Sequence, residues 1–418
     1  MSSSELEGFY KLSIKERRER LGLTQEECAT LDSGLSLETA NRMIENVIGL
    51  HALPVGVATN FLVNGRDYLV PFAIEEPSVV AAASKAAKIV RASGGFTATA
   101  TAPVMIGQIQ IIDAKPDAAK KILLNKASLV EKANALDKGL VARGGGCRDL
   151  ECRIVESERG AFLVVHLLVD CRDAMGANAV NTMAEALAPE LEALSGGRVR
   201  LRIISNLAVH RRANARAVFK KSIIGEDAVE GVLDAYAFAK ADAYRCATNN
   251  KGVMNGVDAV CLATGNDWRA VEAGAHYWAC RNGAPEPLCS YSKNADGDLV
   301  GEIDLPLAVA TVGGASGTHP NAAIARRLLG VETASELAQV IACVGLAQNF
   351  AALYALSTVG IQRGHLKLHA SNYAIMAGAS DDQIEVIVNR MIKEKHISYA
   401  RACEHFKELQ SSKAARET

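Results

Sequence analysis

Four segments of the 418-residue chain hold side chains whose types and spacing suit chemistry. In Ile74-Glu75-Glu76-Pro77-Ser78, two adjacent carboxylates follow the apolar run Leu69–Ile74. A carboxyl at the margin of an apolar surface has a raised pKa, which is how a Glu donates a proton near neutral pH. The same residues also suit a plain helix start, with Pro77 in the first turn and the carboxylates favoured by the dipole. In Asp173-Ala174-Met175-Gly176-Ala177-Asn178, a predicted strand turns into a predicted helix. Unpaired N–H groups there, beside a Gly that lets a phosphate approach, could hold a dinucleotide; an Asp cap over small packing residues reads equally well. This is not the Rossmann glycine signature.

The third segment runs from Asn249 through Lys251 and Asn255 to Gly256, followed by Ala263-Thr264-Gly265-Asn266-Asp267-Trp268-Arg269. A Lys alone among Asn, Gly and Met would, in a partly dry polar loop, stabilise an oxyanion, and a nearby Asp would keep it protonated. A turn-rich surface loop has the same composition. The fourth, Arg363-Gly364-His365-Leu366-Lys367-Leu368-His369, spaces two His at i and i+4 but lacks the Glu of a zinc-protease helix and a third ligand. His365 beside a Gly hinge suits a mobile acid, and no metal is expected.

These segments sit in a chain long enough for roughly two or three domains. A hydrophobic content of 49%, a net charge of −1 and a pI near 6.8 argue against disorder, nucleic-acid binding and an anionic membrane surface. Met1–Tyr10 has no apolar h-region, so no signal peptide is expected. Leu337–Ile361 is uncharged and long enough to span a bilayer, but Gln339, Gly345, Gln348 and Asn349 make it read as a helix buried in protein. Ten scattered cysteines with no CxxC pair read as reduced thiols of a cytoplasmic protein. In the middle third, strands at Met105–Ile112, Leu150–Ser157, Ala161–Val169 and Arg198–Ile204 interleave with helices at Asp117–Leu140 and Ala174–Leu194. That order, β-α-β-β-α-β, predicts a split βαβ module of about a hundred residues inserted into a larger, more helical unit. Beyond it, Ser380 and Gln383 form a capping-box pattern ahead of a C-terminal helical element.

Together and in this order, the four segments resemble the signatures of the hydroxymethylglutaryl-CoA reductase family in its class II form. Glu45-Asn46-Val47-Ile48-Gly49, Val312-Gly313-Gly314, Gly345-Leu346-Ala347-Gln348-Asn349 and Gly364-His365 extend the match from about residue 40 to 375. The resemblance implies an α+β protein: a mainly helical substrate-binding domain (1–103 and 207–362), an inserted ferredoxin-like, non-Rossmann NAD-binding domain (104–206), and a C-terminal helical flap (363–418). It implies interconversion of HMG-CoA with mevalonate and CoA, through mevaldehyde, by two hydride transfers. It also implies a homodimer or higher homo-oligomer with sites at the interface, and no membrane anchor.

The resemblance further assigns roles. Lys251 stabilises the thioester oxyanion, Asp267 holds Lys251 in a proton network with Glu76, Glu76 is the proton donor, and His365 protonates the CoA thiolate. A thiol pKa of roughly 8.5 makes a His of roughly 6.5 a competent acid. Substrate contacts carry over to Ser78, Arg245, Asn255, Glu45, Asn46 and Gln348, and cofactor contacts to Asp173, Met175, Gly176, Asn178 and Thr182. Asp137 matches an acidic position at the adenosine ribose, which predicts NADH over NADPH because a carboxylate repels a 2′-phosphate. Two rival readings are a Schiff-base lysine at Lys251, which borohydride would trap, and a non-catalytic CoA- or nucleotide-binding scaffold.

Overall fold

The computed structural model describes residues 3–358 and 370–417. Short helices α1 (Ile14–Arg20), α2 (Gln25–Ser33) and α3 (Leu37–Met43) open the chain. Each starts at a Ser or Thr, namely Ser13, Thr24 and Ser36, whose side chain accepts from a backbone N–H three residues on. Strands β1 (Val55–Val63) and β2 (Arg66–Ala73) pair antiparallel about Asn64-Gly65, both at positive φ, the turn chemistry of a tight hairpin. Helix α4 (Val79–Arg91) then lays Val79, Ala83, Ala86, Ala87 and Val90 into the core. Strand β3 (Thr97–Ala100) pairs with β8 (Arg212–Phe219), which continues through β10 (Leu299–Pro306) to β9 (Cys289–Lys293) in one antiparallel sheet.

Between β3 and β8 lies a second sheet, β4 (Val104–Ile112), β5 (Gly146–Val155), β6 (Phe162–Asp170) and β7 (Arg198–Ser205), in the spatial order β5-β6-β4-β7. The connection from β4 to β5 is not the single helix that periodicity suggests but three: α5 (Ala118–Leu124), α6 (Lys126–Ala135) and α7 (Lys138–Ala142). Two side chains break it. Asn125 donates back to the Lys121 carbonyl, and Asp137 accepts from the Leu140 N–H at 2.8 Å, so each serves a local turn instead of a continuing helix. Helix α8 (Ala177–Ser195) links β6 to β7 and stops at Gly196, φ 64°. This layer has its own core, centred on Ile109, Leu129, Leu150, Val165, Leu167, Met183 and Leu187.

The rest is helical: α9 (Lys221–Ile224), α10 (Glu226–Ala241), α11 (Ala243–Ala263), α12 (Trp268–Ala279), α13 (Gly314–Thr318), α14 (Pro320–Leu329) and α15 (Ala334–Ser357). α15 is long and apolar enough to cross a membrane, yet 67% of its most apolar window is buried inside the protein. It is a core helix. Phe350 stacks on Phe219 with ring centroids 3.6 Å apart, fixing α15 to the first sheet. α15 and α11 approach so closely that a Cβ on Gly256 would lie 2.8 Å from Val344, and one on Gly345 3.1 Å from Val253 and Val257. Across that seam Asn349 donates to the Asn249 side chain and accepts from the Tyr291 hydroxyl, both at 2.9 Å. A third, small core (Ala370, Ala374, Ile387, Met391, Ala402) joins α16 (370–376), α17 (Asp381–Glu394) and α18 (Tyr399–Glu417).

Candidate active site

Lys251 lies in the middle of α11, not in a loop. Its neighbours Asn249 and Asn250 are turn formers by propensity, but both are buried with partners. Asn250 accepts from the Leu288 N–H and donates to the Glu286 carbonyl, each at 2.9 Å. Tertiary bonds therefore outweigh the local preference. From this helix Lys251 donates to Glu76 at 2.6 Å, and Asn255, one turn on, donates to the other Glu76 oxygen at 3.4 Å. Glu76 lies in the short bend and turn between β2 and α4 that ends at Ser78, a non-glycine residue at φ 74° directly before α4. A strained residue of this kind persists only where its surroundings hold it, and such residues gather at functional sites. In the single chain the pair is open to solvent, with 60% of the Lys251 side chain and 40% of that of Glu76 exposed, so the dry setting expected from the composition is absent here.

A cleft of about 2550 Å³ gathers the cofactor candidates. Asp137, Met175, Gly176, Asn178 and Thr182 all line it, facing Asp267 and Val312–Gly314. Gly176 starts α8 at φ 102° with no side-chain cap, and a Cβ there would lie 2.2 Å from the Cys171 sulfur. Only glycine fits. The N–H groups of the first α8 turn are thus left uncapped by a side chain, an arrangement that fits a nicotinamide dinucleotide's pyrophosphate. The Asp173 carboxylate accepts from the Ala334 N–H at 2.8 Å, tying this loop to the start of α15.

Asp267 caps α12 by accepting from the Ala270 N–H and pairs with Arg269 at 3.3 Å. The structure does not bring it to Lys251 within one chain. Twelve residues of α11 separate Lys251 from the helix end where Asp267 sits, about 18 Å at 1.5 Å per residue. Other candidates scatter too. Arg245 lies in the first turn of α11, half-buried. Gln348 is buried against Gly256, its Oε1 without a partner among the described residues, so it packs the α11–α15 seam. Glu45 and Asn46 are exposed, beside the bare apolar side chains of Ile44 and Ile48. His365 lies outside the described residues.

The sequence reading missed Asp258, although a lone carboxylate in the apolar stretch Val257–Ala263 was a visible signal. It shares the α11 stripe of Lys251 and Asn255 and faces Glu272 of α12. Burial, reinforced by the Glu272 charge, pushes its pKa up to about 8, and one of its oxygens has no partner among the described residues. A carboxyl with a raised folded pKa is tolerated while protonated and costs stability once pH climbs from its unfolded value near 4 through 8. Asp258→Asn is therefore expected to raise the melting temperature by about 2 °C or more above pH 8 and to leave it unchanged near pH 4. Calorimetric melting across pH 4–9 checks this; an offset that is the same at every pH would rule it out.

Three comparisons bear on this geometry. The sequence model of the family described as hydroxymethylglutaryl-coenzyme A reductase matches residues 13–370. The 3-hydroxy-3-methylglutaryl-coenzyme A reductase of Archaeoglobus fulgidus is 55% identical over 417 residues, spanning 98% of this chain and 95% of the relative. A probable enzyme of the same name from Borreliella burgdorferi is 37% identical over 342 residues, 79% of this chain and 77% of the relative. Among solved structures, the class II enzyme of Streptococcus pneumoniae bound to NADPH in open conformations superposes with a TM-score of 0.81 at 43% identity, covering 96% of this chain and all of that one.

Proposed function

The chain belongs to the hydroxymethylglutaryl-coenzyme A reductase family, as a class II member, and from that premise we propose how its own residues carry out the reaction. The observation that carries the reading is the cluster of Glu76 with Lys251 and Asn255 of α11, in a fold that also leaves the α8 N-terminus without a side-chain cap at a cleft. Two reduced nicotinamide cofactors, bound in turn, would each supply one hydride, the first to the thioester carbon of HMG-CoA and the second to mevaldehyde. Lys251, held by Glu76, stabilises the negative charge that develops on the substrate oxygen. Glu76 donates the proton that turns the mevaldehyde oxygen into the mevalonate hydroxyl. His365 protonates the departing CoA thiolate, a proton transfer within reach of an imidazole. Asn255, Arg245 and Ser78 orient the acyl portion, and Asp137, Met175, Gly176, Asn178 and Thr182 hold the dinucleotide.

Asp267 enters this scheme from a second copy of the chain. The ~18 Å along α11 is far beyond the four-carbon stem of a lysine, so one chain holds two incomplete halves. A homodimer that sets the Lys251 half of one copy against the Asp267 half of the other completes both sites and dries the exposed pair. It would also cover Ile44 and Ile48, which are 64% and 103% exposed. Ten free cysteines, six of them buried, fit a reducing cytoplasm.

Asp137 on the rim of the cofactor cleft favours a 2′-hydroxyl and repels a 2′-phosphate, so NADH is the preferred partner. Absorbance at the nicotinamide band, with HMG-CoA and each cofactor in turn, tests both the reaction and the preference. Oxidation of neither cofactor would end the reductase reading, whereas equal kcat/KM with both would end only the NADH preference.

A further inference from the structure

Arg211 is 4% exposed and lies between β7 and β8, where the chain leaves the second sheet. A guanidinium keeps its charge even where burial lowers its pKa, so its interior position demands compensation. Its fork donates to four carbonyl oxygens: Ala174 at 2.8 Å, Met175 at 3.3 Å, Arg172 at 3.3 Å, and Val309. Three of these belong to the loop that leads into α8, and the fourth to the segment leaving β10. Two further ties run the same way, from the Thr311 N–H to the Asp173 carbonyl and from the Ala334 N–H to the Asp173 carboxylate.

We propose that Arg211 is the positioning residue of the cofactor loop: it fixes residues 172–175 so that the N–H groups starting α8 converge, and it places a buried positive charge beneath them for a bound pyrophosphate. This rests on the reading of that loop as the dinucleotide site. The carbonyls turn down toward Arg211, which leaves the loop's opposite edge, Gly176 and the following N–H groups, facing the cleft. Both actions serve the cofactor; neither touches the CoA ester held at α11.

The test is a fluorescence titration of NADH and NADPH into the purified full-length wild type and the Arg211→Lys, Arg211→Gln and Asn178→Ala variants, with the HMG-CoA KM and the melting temperature measured alongside. Arg211→Gln removes both fork and charge and is expected to weaken cofactor binding roughly 10–100-fold, a loss typical of a misplaced binding element. Arg211→Lys keeps the charge without the fork and is expected to fall between Arg211→Gln and wild type, with the HMG-CoA KM within about twofold of wild type. It also serves if Arg211→Gln fails to fold. Cofactor binding by folded Arg211→Lys equal to wild type overturns the proposal. So does a matching rise in the HMG-CoA KM, which would mark a general structural role. Unchanged binding by Asn178→Ala would instead overturn the loop reading on which the proposal rests.

Discussion

Lys251→Ala is expected to yield a folded protein that still binds CoA esters but turns over about 100- to 1,000-fold more slowly, the usual cost of losing one oxyanion donor. The fold should survive for three reasons. The side chain is 60% exposed, its ion pair with Glu76 is worth about 1 kcal/mol or less at such exposure, and alanine is the best helix former for the middle of α11. Steady-state turnover, calorimetric binding of CoA esters and melting temperature are the three readouts. Turnover within about tenfold of wild type would remove Lys251 from the oxyanion role. Loss of melting cooperativity would show that the lysine holds the helix instead. Borohydride treatment in the presence of HMG-CoA and cofactor should leave Lys251 unmodified, which separates hydride transfer from Schiff-base chemistry.

Two dead proteins should make a live one. If each site takes Lys251 from one copy and Asp267 from the other, a mixed dimer of Lys251→Ala with Asp267→Asn has one doubly damaged site and one intact site. Random pairing makes half the dimers mixed, so an equimolar mixture, unfolded and refolded together, should recover about a quarter of wild-type activity. Asn is chosen at 267 because it still caps α12, so the loss is not one of stability. Activity no greater than the sum of the two variants alone would return the site to a single chain and leave Asp267 without a part in it.

Much of the architecture was legible because burial has a period. The alternation in Met105–Ile112 and Ala161–Val169 marks strands with one buried face, and the structure holds β4 and β6 there. The Leu337–Ile361 stretch reads as a buried helix because its few polar residues need internal partners, which Asn349 finds in Asn249 and Tyr291. Lys251 stood out in the sequence as a lone charge among Asn, Gly and Met, but not as a helical residue. Asn249, Asn250 and Gly256 look like turn formers until distant partners are known: Glu286 and Leu288 for Asn250, and Val344 and Gln348 of α15 for Gly256. Arg211 gave no signal, since nothing local separates it from Arg212 beside it; only the fold shows that one guanidinium turns inward to carbonyls while its neighbour pairs with Asp304. The Asp267–Lys251 link shows a further limit. Sixteen residues look close in sequence, and a straight helix makes them far apart.

The glycine contact between α11 and α15 has a consequence for turnover. Where two helices touch through long side chains, rotamers can change and the pair can slide; at Gly256 and Gly345 each glycine backbone is met by stiff β-branched side chains, Val344 on one side and Val253 and Val257 on the other, which leave little room to relax. Lys251 therefore rides on something close to a fixed rail. Each approach and retreat that a two-stage reduction demands, including the exchange of spent cofactor for fresh, must be made by whatever comes to the lysine.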